Sequence, residues 1–156
     1  MNLETLDKLG LNEEIFQKID SSISDKDLKE ILKRDLKENA LSLITNSFKA
    51  SLILSGSIVE SCMLSKIYDL GITKYKPSAT AKKDKKVTDM TLSELLYVVE
   101  QNKIINTQTY HFSQAIRDYR NLVHSAAEVK KGKIKKITES DAELAWGITK
   151  KIIYDI

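Results

Sequence analysis

The chain has 156 residues, of which 42% are hydrophobic and 30% are charged. This length and balance predict one soluble globular domain and exclude a disordered or fibrous chain. The single cysteine, Cys62, excludes an intrachain disulfide and a cysteine-only zinc site. Because the net charge is only +3, binding of an anionic partner has to be argued from where the charges lie.

One proline and five glycines are few for this length and favour helices over a β-sandwich, which needs frequent turns. We expect an all-α, up-and-down bundle of four to five main helices in a single domain, 1–156, with residues 1–24 as peripheral N-terminal helices. The acidic, amphipathic N-terminus does not resemble a signal peptide, and no stretch reaches the length of a membrane span. The expected location is therefore the cytoplasm, with no membrane partner.

The first half of the chain predicts two long helices. Asn12 is placed as an N-cap of a short helix, and Ser24 with Asp27 resembles a capping arrangement for a long one. The expected core side of that long helix carries Leu28, Ile31, Leu32, Leu36, Ala40, Leu43 and Ile44. The segment 48–71 is the most apolar in the chain, so we predict that it is the central core helix, with Gly71 as its C-cap.

The second half begins with residues 73–89, which hold the only proline and six lysines without helical periodicity and predict a mobile basic loop. Thr91 and Glu94 then form a capping box for the next helix. A final helix is expected from about Ser140, with Trp146 on its flank. Its predicted core residues are Leu144, Ala145, Ile148, Ile152 and Ile153.

The helix expected over residues 106–125 carries two stripes at helical spacing. The apolar stripe consists of Ile105, Phe112, Ile116, Tyr119 and Val123. The polar stripe consists of Arg117, Arg120, Asn121 and His124. Two guanidinium groups and an imidazole along one edge of a helix are suited to a phosphate ligand.

Several chemistries have no motif in this chain: it lacks a Gly-rich phosphate loop, C-x-x-C, H-E-x-x-H and a nucleophile elbow. Arg117 is followed by the polar Asp118, and six residues separate Arg117 from His124. This pattern resembles the HEPN superfamily of all-helical proteins, as does the Gly-Ser-x-x-Glu sequence from Gly56 to Glu60 in the core helix. Ser125 follows His124, where many relatives have proline. The resemblance extends from about residue 28 to the C-terminus.

The resemblance implies a homodimeric, metal-independent endoribonuclease without a cofactor, acting in a toxin–antitoxin or antiphage system. It assigns Arg117 as transition-state stabiliser and His124 as general acid and base, which suits the near-neutral pKa of imidazole. The supporting residues are Asp118, Arg120, Asn121 and Glu60. RNA backbone contacts are expected from Lys82, Lys83, Lys85, Lys86, Lys130, Lys131 and Lys133. An antitoxin or a nucleotidyltransferase is the expected protein partner.

Other interpretations remain open at this level. The chain can be a non-catalytic HEPN-like module for dimerisation or partner binding, or can bind nucleotide beside a nucleotidyltransferase. His124 can cap a helix end, Arg120 can pair with Glu60, and the lysine runs can be solvated loops. We expect His111 at the surface and Cys62 in the core. Packing rather than base stacking is expected of Tyr97, Tyr110 and Tyr119.

Overall fold

The computed structural model describes residue 7, residues 9–122 and residues 136–156. Six helices and one two-stranded hairpin form within these ranges, which confirms the predicted all-α bundle. The helices are α1 (Glu13–Ser22), α2 (Lys26–Ile44), α3 (Phe48–Asp69), α4 (Leu92–Gln101), α5 (Thr107–Leu122) and α6 (Glu139–Asp155). The strands are β1 (Lys74–Tyr75) and β2 (Lys85–Lys86).

Helix α3 is the centre of the bundle, as its apolar sequence predicts. It packs against α2, α4, α5 and α6, and Ile58, Val59 and Met63 on it are fully buried. The expectation that no stretch reaches the length of a membrane span was wrong for α3, which among the described helices is the one long and apolar enough to cross a membrane. However, 61% of its apolar window is buried inside the molecule. A helix surrounded by other helices needs apolar residues on most of its circumference, and this accounts for the composition.

The helix ends follow the local sequence closely. Asn12 caps α1 through the backbone nitrogen of Ile15, and the predicted capping box of Thr91 and Glu94 opens α4. Gly71 takes a positive φ of 70° directly after Leu70, the C-cap of α3, as an αL helix end requires. The prediction for the start of α2 was wrong by one residue, since the side chain that accepts from Leu28 N belongs to Asp25 and not to Ser24.

A buried polar network joins α2 to α3, which the apolar pattern did not predict. Asn39 is fully buried; its Nδ2 donates to Ser55 Oγ at 2.9 Å, and its Oδ1 accepts from Ser51 Oγ at 2.6 Å. One helical turn earlier, the buried carboxylate of Asp35 accepts a 2.6 Å hydrogen bond from Ser57 Oγ. Because buried polar groups must be paired, these bonds fix how α3 is rotated against α2.

The basic segment 73–89 is more ordered than predicted. Strands β1 and β2 pair in antiparallel register, with Lys74 opposite Lys86 and Tyr75 opposite Lys85. A 3₁₀ turn, Val87–Asp89, follows, and buried Val87 and Met90 anchor it to the core. The hairpin therefore leads directly into the start of α4.

Helix α6 lies against α1 and α3 in a rotation that differs from the predicted one. Leu144, expected in the core, is 53% exposed, whereas Trp146, expected on the flank, is 4% exposed. The indole Nε1 donates to the carbonyl of Leu9 at 2.8 Å, so a polar contact from the N-terminal segment satisfies the buried ring. Ile44, predicted in the core, is 39% exposed at the end of α2.

Candidate functional site

A cleft of about 480 Å³ lies where α3, α5 and the start of α4 meet. Helix α5 contributes Arg117, Arg120 and Asn121, and α3 contributes Glu60. The segment 90–93 forms the remaining wall. The structure thus brings Arg117, Arg120 and Asn121, the described part of the predicted polar stripe, together in one cleft next to Glu60 of the core helix.

Arg120 is held between two residues of the Gly-Ser-x-x-Glu sequence. Its Nη1 lies 2.7 Å from Glu60 Oε2. Its aliphatic chain crosses α3 at Gly56, where an added Cβ would lie only 3.0 Å from Arg120 Cγ and closer still to Cδ. Gly56 and Glu60 are four residues apart and share one face of α3. The glycine therefore makes room for the arginine, and the glutamate fixes its charged end.

Ser57, the serine of the same sequence, points elsewhere. It donates to Asp35 on α2, so adjacent residues of α3 bind the helices on either side of it. The described ion pair of Glu60 is with Arg120, and Arg117 pairs with Asp118 instead. The interpretation of Arg120 as the partner of Glu60 is confirmed.

Arg117 is held more loosely than Arg120. Its Nε and Nη2 donate to Asp118 Oδ1 at 3.0 and 2.7 Å, and the Asp118 side chain is 63% exposed. The Arg117 side chain is itself 24% exposed, but an ion pair whose acidic partner is largely solvated contributes little to stability. An incoming anion can therefore replace Asp118 on this guanidinium at small cost, whereas it would have to disrupt a contact between two helices to capture Arg120.

The other predicted site residues fall into three groups. Four of them lie outside the described residues: His124, Lys130, Lys131 and Lys133. Lys82, Lys83 and Lys86 are exposed on the hairpin. The ammonium of Lys85, by contrast, lies 2.8 Å from Glu94 Oε2.

The pair of Lys85 and Glu94 ties the hairpin to the wall of the cleft. Burial raises the pKa of Glu94, but hydrogen bonds from Lys85 and from Thr91 outweigh it, so that the pKa lies below its ordinary value. The carboxylate is therefore charged at neutral pH and accepts from Thr91 N at 2.7 Å. Lys85 consequently stabilises the position of the cleft wall, in addition to any role toward RNA.

Cys62 and His111 occupy the places predicted for them. Cys62 is fully buried, and burial raises the pKa of its thiol to about 12. His111 is exposed on α5. Across the described ranges, no three His, Cys, Asp or Glu side chains come close enough to hold a metal ion.

Residues 90–93 were missed as part of the site by sequence reasoning. Thr91 was identified only as a helix cap, and nothing in its local pattern indicates which helix lies opposite. No protein-family model, curated protein or solved structure matches this chain.

Proposed function

We propose that this protein is a cytoplasmic, HEPN-like, metal-independent endoribonuclease that acts as a homodimer in toxin–antitoxin or antiphage defence. The observation that carries the proposal is the shared cleft of Arg117, Arg120 and Asn121 on α5. His124 follows Asn121 by three residues in the sequence and completes the Arg-to-His spacing of the superfamily.

The two arginines take different roles in this proposal. Arg117, paired only with an exposed neighbour among its described contacts, binds the phosphate and stabilises the charge that develops on it. Arg120, bound by Glu60 and seated over Gly56, is a positioning residue that keeps the α5 edge of the cleft against α3. Asn121 supplies a neutral amide at the same edge.

The reaction needs no metal when the ribose itself provides the nucleophile. The 2′-oxygen attacks phosphorus and the bond to the 5′-oxygen of the next nucleotide breaks, which leaves a 2′,3′-cyclic phosphate and a 5′-hydroxyl. A base removes the proton from the 2′-hydroxyl, and an acid supplies one to the leaving oxygen. His124 can perform either step because imidazole titrates near neutral pH. In a homodimer, the two copies of His124 would share the two steps.

The test is incubation of the purified protein with a mixed pool of structured RNAs in excess chelator. We expect cleavage with cyclic phosphate ends. We expect His124→Ala to lower the rate about 10²–10⁴-fold, as loss of a general acid or base does. Arg117→Ala should lower it about 10²–10³-fold, as loss of a charge-stabilising donor does.

A matched control is Lys26→Ala, which removes the same charge from an exposed position at the start of α2. It should cleave at the wild-type rate. Cleavage by His124→Ala at the wild-type rate would eliminate the proposed chemistry. Equal losses in Lys26→Ala and Arg117→Ala would show that net charge, and not the cleft, controls the rate.

A second candidate is a non-catalytic HEPN-like module that dimerises or binds a partner protein. The contact of Arg120 with Glu60 favours this candidate, because it gives one of the two arginines a structural role within one chain. Among the residues that line the cleft, Glu60 offsets the charge of Arg120, and Asp118, which lies outside the lining, pairs with Arg117. This candidate predicts no cleavage, and a dimer affinity, measured by sedimentation, that falls in Arg117→Ala.

A further inference from the structure

A second cleft, of about 470 Å³, opens at the N-terminal end of α5. Its walls combine Ile105 with charged and aromatic side chains: Glu100 and Lys103 from the end of α4 and the turn after it, and Tyr110 and His111 from α5. A cleft with an apolar wall and a few converging polar groups is the usual form of a small binding site.

The two rings in this cleft form a fixed pair. Their centroids are 5.7 Å apart and their planes meet at 60°, an edge-to-face contact. The Tyr110 hydroxyl donates to Glu100 Oε2 at 3.0 Å, and Gln114 Nε2 donates to the same hydroxyl oxygen. Tyr110 is thus held from both α4 and α5, and it supports the exposed imidazole of His111.

The two clefts lie along one line of α5. Tyr110, Gln114, Arg117 and Asn121 recur at intervals of four, three and four residues, which keeps them on one face of a helix. Arg117 lies seven positions after Tyr110, which at 1.5 Å per residue is about 10 Å along the helix axis. A strand bound by Arg117 can therefore reach the ring pair within its neighbouring nucleotides.

We propose that the ring pair of Tyr110 and His111 is a stacking site for an unpaired base, and that the substrate is single-stranded RNA lying along α5. Tyr110 packs against the core, as expected, and supports the exposed ring of His111, on which the base stacks. The proposal rests on the proposed function, because it takes the Arg117 cleft as the phosphate site. Aromatic side chains beside a basic backbone contact are the usual means of binding single strands, since every base has a face that can stack. A base in a duplex is already stacked on both sides and cannot enter the cleft.

Binding can be measured apart from cleavage with a fluorescein-labelled single strand whose 2′-oxygens are methylated, because such a strand cannot form the cyclic phosphate. We expect the wild type to bind it, and His111→Ala to raise the Kd about five- to a hundredfold, the usual cost of losing one stacked base. His111→Phe, which keeps an aromatic ring, should restore most of the affinity. Gln108→Ala, at an exposed position of the same helix, should bind as the wild type does.

Equal affinities of His111→Ala and the wild type would overturn the stacking site, as would an affinity that His111→Phe fails to restore. Failure of the wild type to bind the methylated strand would overturn it as well. Cleavage of unmodified RNA is scored separately. If the protein cleaves RNA but binds it independently of the His111 ring, the proposed function stands and the stacking site is wrong. If binding depends on the ring but no RNA is cleaved, the stacking site stands and the proposed nuclease function is wrong.

Discussion

Because Gly56 contacts Arg120, we predict that Gly56→Ala destabilises the wild type but stabilises a variant that lacks the Arg120 side chain. The three atoms nearest to a Cβ built at Gly56 all belong to Arg120, and two of them, Cγ and Cβ, lie at 3.0 and 3.2 Å. Replacing glycine by alanine in a helix interior stabilises a protein by about 1 kcal/mol. Crowding a packed contact costs about 1–3 kcal/mol. In the wild type, therefore, Gly56→Ala should lower the free energy of unfolding by up to about 2 kcal/mol.

Removing the arginine should reverse the effect. In an Arg120→Ala background, the new methyl group meets only the remaining Cβ, so Gly56→Ala should stabilise by somewhat less than about 1 kcal/mol. The two substitutions should then couple by about 1–3 kcal/mol in a double-mutant cycle. Arg120→Ala alone should cost about 1 kcal/mol, because the ion pair with Glu60 is one-third exposed.

The assay is urea unfolding of the four proteins at one fixed protein concentration, because the apparent stability of any protein that associates depends on its concentration. Gly147→Ala is the matched control, because a Cβ there meets nothing within 4 Å. It should stabilise the wild type and Arg120→Ala equally. The reasoning is refuted if Gly56→Ala stabilises the wild type as Gly147→Ala does, or if the effects of Gly56→Ala and Arg120→Ala simply add.

Two further predictions concern the buried part of α3. Asn39→Ala should lower the free energy of unfolding by about 2–6 kcal/mol, because the hydroxyls of Ser51 and Ser55 each lose a buried partner at about 1–3 kcal/mol. A loss below about 1 kcal/mol in urea unfolding would show that these bonds do not hold the two helices together. Cys62 should resist alkylation near neutral pH in the native protein and react once the chain is unfolded, as followed by mass spectrometry. Because the pKa of the Cys62 thiol is about 12 in the folded protein and 9.0 otherwise, burial of the thiol should contribute its full stabilisation below pH 9.0 and progressively less as the pH rises toward 12. Rapid alkylation of the native protein would show that the thiol is accessible.

The parts of the fold that follow from sequence are those decided locally. The capping box at Thr91, the cap at Asn12 and the αL glycine at position 71 all appear where the residue types require them. Each depends on a side chain and a backbone group within three or four residues, so the sequence contains all the information. The central position of α3 was also predictable, because its apolar residues surround the helix.

The errors arise where tertiary contact overrides the local pattern. Leu144 was assigned to the core of α6 because it fits an apolar stripe. The bundle instead buries Trp146, whose indole nitrogen finds a carbonyl in the N-terminal segment more than a hundred residues away. The hairpin of residues 73–89 was missed because its two strands have two residues each and carry mainly lysine, with little of the β-branched character that marks a strand.

The candidate site was predictable from the sequence only in part. Its polar stripe on α5 was predictable from helical spacing, and the pairing of Arg120 with Glu60 was one of two interpretations that the sequence left open. Which arginine pairs with Glu60 depends on how α3 is rotated, and that rotation is set by Asn39 and Asp35 on the opposite side of the helix. Ser51 and Ser55, four residues apart and facing Asn39, were the available signal, because small polar residues at that spacing in an apolar helix require buried partners.

These contacts also explain how α3 fixes the positions of both α2 and α5. Ser57 binds α2, while Gly56 and Glu60, on either side of it in sequence, accommodate and bind Arg120 of α5. A rotation of α3 that broke the serine contact would move Glu60 away from Arg120, so the two contacts select the same orientation. With Arg120 fixed in this way, Arg117 is left one turn away with only an exposed partner, Asp118, among its described contacts. The division between a held and an available guanidinium is therefore a consequence of how the core is packed, and it is the reason for assigning the phosphate to Arg117.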